Sequence, residues 1–150
     1  MFDRQKYDAA REGALWHQHN YTKMNFMRIP WNDSTRVIGI DWKESTATRT
    51  DDDMKNELDL FAGYVEERQA PAIIVDVTRF RHRMSPGVQQ WRVKNISTRY
   101  SVAGVKRFAF VFPPEAQIPS MMNHSAEGEK FRTRAFNRHE EAIAWLAEEG

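Results

Sequence analysis

Cysteine is absent from the chain, and with it go disulfide staples, thiol nucleophiles and thiolate metal ligation. No apolar run approaches the ~20 residues that span a bilayer. The opening stretch, MFDRQKYDAAREGALWHQHN, has neither the apolar core nor the small-residue cleavage site of a secretory signal, so a cytoplasmic location is expected. No glycine-rich phosphate loop supplies a nucleotide fingerprint. Net charge is nearly absent as well, at +1. A pI near 8 without an aromatic-interleaved basic motif argues against a nucleic-acid partner.

What is present suits one globular domain: 150 residues, 41% hydrophobic and 12% aromatic, long enough to bury a core unaided. The organising stretch is residues 72–87, AIIVDVTRFRHRMSPG. Ile73, Ile74, Val75 and Val77 form a nearly continuous β-branched run, the pattern of a strand buried on both faces. Ser85-Pro86-Gly87 then offers an N-cap hydroxyl with proline at the first helical position. A strand end, a basic loop and a helix start meeting at one point is where open α/β sheets place ligands. Arg79, Arg81, His82, Arg83, Ser85, Gly87 and Trp91 are therefore the candidate ligand- or partner-binding residues.

Around this centre the pattern gives strands at 24–29 and 35–42 joined by a turn at Pro30-Trp31-Asn32-Asp33, an antiparallel hairpin. Thr50 caps a helix over 51–68 whose apolar stripe is Met54, Leu58, Phe61, Tyr64 and Val65. Asp51-Asp52-Asp53 favours the positive end of that helix over a metal, because adjacent carboxylates on a helix diverge. Val88, Trp91, Ile96 and Tyr100 mark a second helix, and residues 105–112, VKRFAFVF, a buried strand ended by Pro113-Pro114. A short helix over 119–127 carries Met121 and Met122; Phe131 to Phe136 alternates like an edge strand. Asn137 caps a final helix with Ala142, Ile143, Trp145 and Leu146 on its apolar face. Residues 1–23 read as a polar arm, and 24–150 as the domain. The expected order is β-β-α-β-α-β-α-β-α, a mixed sheet of four to five strands flanked by about four helices.

Charge is unevenly spread. Residues 71–138 hold twelve basic side chains against four acidic ones, so Arg79, Arg81, Arg83, Lys106, Arg107, Arg132 and Arg134 would attract an acidic ligand if they shared one face. A solvated surface is the ordinary alternative. His17, His19, His82, His124 and His139 lie in no catalytic or metal-binding pattern. His82 has arginine on either side. Asp76 reads as a strand carboxylate bonded to a neighbouring backbone N–H or paired with an arginine. No metal, cofactor or catalytic set is expected.

This order, together with AIIVDVTRF, KRFAFVF and FRTRAFNRHEEAIAWL, resembles the SpoIIAA-like branch of the STAS superfamily, the sulfate-transporter and anti-sigma-factor-antagonist domains. The resemblance covers about residues 35–147 and implies a non-catalytic regulatory or protein-interaction module. Some members of that branch are likened to CRAL-TRIO lipid-binding proteins. In phosphorylatable STAS proteins the central strand leads to an Asp-Ser-x-Gly turn. Ser85 and Gly87 fall on its serine and glycine, which makes Ser85 the phosphoacceptor the resemblance implies, while Met84 stands in place of the aspartate. The alternative is a binder of a small molecule, lipid or anion, with Trp42, Trp91, Met121 and Met122 lining an apolar pocket beside the Ser85 helix start. The exposed 131–136 edge also suggests a homodimer.

Overall fold

The computed structural model describes residues 27–118 and 128–148. The expected arm over 1–23, the start of the first strand and the short helix over 119–127 lie outside them. The described residues form a six-stranded, mostly parallel sheet carrying helices on both faces.

The chain enters through two very short strands, β1 (Met27–Arg28) and β2 (Trp31–Asn32), both antiparallel to β3 (Val37–Trp42). Pro30 divides them, since it has no N–H for a ladder. The hairpin turn thus lies at residues 33–36, not at Pro30 to Asp33 as the sequence suggests. Asn32 explains the shift. Its side-chain oxygen accepts from the Ser34 and Thr35 amides at 2.9 and 3.0 Å, and Arg36 closes the turn at φ 59° with its amide on Asn32 O. Trp31 is kept in the ladder by the Arg68 guanidinium, 4.9 Å from its ring centroid.

A 3-10 turn, Glu44–Thr48, fills most of the polar connection into α1 (Asp51–Arg68). The predicted cap is present as a full capping box: the Thr50 hydroxyl accepts from Asp53 N, and the Asp53 carboxylate accepts from Thr50 N. After α1 comes β4 (Ala72–Asp76), paired in parallel with β3 on one side and β5 (Arg107–Val111) on the other. The isoleucine-valine run is therefore central and buried on both faces, as its composition requires.

Residues 86–103 are helical throughout: α2 (Pro86–Arg92), a wide π turn at Val93–Ser97, then α3 (Thr98–Ala103), closed by Gly104 at φ 98°. β6 (Arg132–Phe136) pairs with β5 in parallel and forms the far edge, and α4 (His139–Leu146) ends the fold. The α4 N-cap is Arg138, without a side-chain bond, not Asn137. Asn137 instead donates its amide to Pro113 O at 2.8 Å and Ala116 O at 3.0 Å, tying down the loop after β5.

Strand alternation sorts the core. Ile38, Ile40, Trp42, Ile73, Val75 and Phe108 face α1, α2 and α3 in the larger cluster; Val37, Ala72, Ile74, Ala109, Val111 and Phe136 face α4 in the smaller one. Arg107 joins the second layer: buried at the start of β5, it donates to Trp145 O at 2.6 Å and lies 5.1 Å from that ring centroid.

Candidate functional site

The carboxyl end of β4 leads into a loop that is anchored residue by residue. Asp76 accepts from Thr78 N at 2.9 Å, an Asx turn that starts the bend, and Phe80 N bonds Val77 O. The Arg81 amide donates to the buried Thr46 hydroxyl at 2.8 Å, fastening the loop to the 3-10 turn. Phe80 then packs between Trp42 and His82, with centroids 5.3 and 6.2 Å away.

His82 and Ser85 converge on one carboxylate. The His82 Nε2 lies 3.0 Å from Asp51 Oδ1, and the imidazole is only 11% exposed. The Ser85 hydroxyl bonds the same carboxylate, and this bond, followed by His82, holds Asp51 below the usual aspartate range. Ser85 also caps α2, accepting from Val88 N at 3.3 Å. The trio is centred on aspartate, with serine and histidine each turned toward Asp51, so the hydroxyl lacks the histidine partner a nucleophile needs. Asp51 and Asp53 thus serve the α1 start and its neighbours. No group of three histidine or acidic side chains among the described residues is arranged to hold a metal.

Beside this cluster, between the sheet and the helical run 86–103, lies a cavity of about 890 Å³. Its floor is the sheet: Ile40, Trp42, Val75, Val77, Phe108, Phe110, Phe112, Phe131 and Thr133. Leu58 and Tyr100 close it from the helices, and Phe80 and Met84 from the loop. Burial pushes the Tyr100 phenol well above its ordinary range. Polar lining is sparse: His82, Arg83, Gln89, Arg92 and Glu129, besides Tyr100 and Thr133. Such a volume suits a drug-sized apolar molecule, held by rings and oriented by a few polar groups.

Of the sequence candidates, His82 and Arg83 line this cavity, whereas Ser85 lies outside the lining, at the start of α2 beside Asp51. The others do not line it. Arg79 pairs with Glu44 at 2.6 Å in an exposed bridge, and Arg81 turns back onto the carbonyls of Thr78 and Phe80. Gly87 is exposed, and Trp91 packs on the helix side with the Lys55 ammonium 5.7 Å from its ring centroid. The basic side chains also part company. Arg79, Arg81 and Arg83 follow the carboxyl end of β4, whereas Lys106, Arg107 and Arg132 sit at the amino ends of β5 and β6, so the seven do not make one basic face.

Sequence reasoning missed Asp51 as the partner of His82, Arg92 as a lining cation, and the phenylalanine floor. The last had a signal. Phe108, Phe110 and Phe112 recur at every second position, which turns the rings of Phe108 and Phe110 in β5, and of Phe112 just past its end, toward one face of the sheet. No family model, curated protein or solved structure matches the chain.

Proposed function

We propose that this protein is a non-catalytic binding module that holds an apolar small molecule between the sheet and the helical run 86–103. The observation that carries this is the aromatic cavity on the helix-covered face of the sheet, which runs from Phe131 and Thr133 at the start of β6 to Trp42, Val77 and Phe112 at the carboxyl ends of β3, β4 and β5. The neutral dye Nile red tests it independently of charge. Its fluorescence should rise and saturate at one dye per chain. Thr133→Trp, which inserts a large ring from β6 into the cavity, should weaken binding by about tenfold while the fold is retained. Native mass spectrometry of freshly purified protein should also show a retained small molecule. A chain that takes up no dye and retains no molecule is not such a module.

A regulatory, partner-binding role of the STAS type is the second reading. It is supported by the succession of strands in one sheet and by Ser85 capping a helix just after the central strand. Phosphate on Ser85 would compete with its bonds to Asp51 and Val88 N. Intact-mass analysis of protein purified from its own cells, with Ser85→Ala as control, tests it: a chain never phosphorylated at Ser85 has no such switch.

A further inference from the structure

We infer that the ligand of the cavity is a monocarboxylate, its head seated at Arg83 and Arg92 beside His82 and its apolar body on the phenylalanine floor. This rests on the cavity reading above and adds the chemistry of the head group. Arg83, from the exposed loop, and Arg92, from the end of α2, both line the cavity, and neither has a carboxylate partner among the described residues. Arg28, Arg49, Arg79 and Arg99 are each paired with a carboxylate, and Arg36 and Arg81 are bonded to backbone carbonyls. The Arg92 Nε has only a long 3.4 Å contact with Gln89 Oε1, and Gln89 lines the same cavity.

Among the described lining residues the cations Arg83 and Arg92 outnumber the one carboxylate, Glu129, which has a partner of its own, so the lining favours an anion. In a largely apolar cavity a single carboxylate costs less to bury than a dianion such as a phosphate monoester. A carboxylate also suits guanidinium donors in geometry and strength. His82 contributes a ring held in place by Asp51 through Nε2, so the polar end of the cavity is fixed before anything binds.

Displacement of Nile red tests the head group, with dodecanoate and 1-dodecanol as competitors below their aggregation limits. A charge-assisted hydrogen bond favours the acid by roughly tenfold or more. Dodecanoate should therefore displace the dye at about one tenth the concentration of the alcohol, or less. In the Arg83→Gln/Arg92→Gln double variant the two competitors should come within about threefold, with the alcohol unchanged. Unaltered circular dichroism and thermal midpoint would show that the variant is folded. Equal competition in the wild-type protein, or an acid preference that survives the double replacement, overturns the head-group assignment and leaves the cavity reading standing. Failure of Nile red itself to bind removes both.

Discussion

At Glu57 a carboxylate lies inside the molecule, its residue 1% exposed, with Oε1 taken by Arg49 and Oε2 without a hydrogen-bond partner among the described residues. Burial outweighs the guanidinium and raises its pKa to about 7, from an ordinary value of 4.5. The folded state thus keeps a proton that the unfolded chain has already lost. Stability is fullest below pH 4.5 as far as this group is concerned, and falls as pH rises from there to about 7. Urea midpoints across that range should decline for the wild type, and the decline should flatten in Glu57→Gln. An unchanged slope in the variant would remove Glu57 as its source. Asn137 poses a simpler question. Asn137→Ala should cost about 1–3 kcal/mol through two lost bonds to loop carbonyls, and should speed proteolysis within 113–118. A loss confined to α4 would mean that Asn137 acts as a cap after all. Its Asn-x-x-Glu spacing matched a capping box, but the spacing cannot show that two carbonyls from another loop bid for the same amide.

At the scale of elements, chemistry within a few residues was legible. The Thr50 box, the Ser85 cap with Pro86, and the strand at residues 72–76 follow from contacts over three or four positions or from continuous burial. The entrance to the sheet was less so, because Trp31 joins a ladder through its packing on Arg68, far along the chain. Gly39 shows the same dependence. A Cβ there would lie 2.9 Å from Ile74 Cγ2, 3.0 Å from Ile74 O and 3.2 Å from Pro30 Cγ. The close passage of β3 against β4 and Pro30 therefore requires a bare Cα. Gly39→Ala should destabilise by about 1–3 kcal/mol through overpacking against backbone, read as a lower urea midpoint with unchanged slope. A neutral result would show that the sheet yields at this point at little cost.

Across the whole molecule, the sheet divides the two cores, and the larger one leaves its aromatic floor open toward Arg83 and Arg92. Anything that occupies this cavity in the folded state alone must stabilise the fold. A ligand at a hundred times its Kd adds about 2.7 kcal/mol, on the order of 5–10 °C in Tm for a domain of this size. Dodecanoate should produce such a shift, and a thermal midpoint insensitive to it would count against occupancy. No helix among the described residues is long and apolar enough to cross a membrane. The sequence by itself determined the mixed α/β character, the middle position of the 72–76 strand and the helix starts at Thr50 and Ser85, because periodicity, β-branching and capping act over one or two turns of chain. Only the tertiary structure decided which arginines are paired, that Asp51 meets His82, and that Phe108, Phe110 and Phe112 floor a cavity. Asp51 and His82, Arg79 and Glu44, and Arg99 and Glu66 are 31, 35 and 33 positions apart, and their meeting is set by how the strands and helices stack side by side.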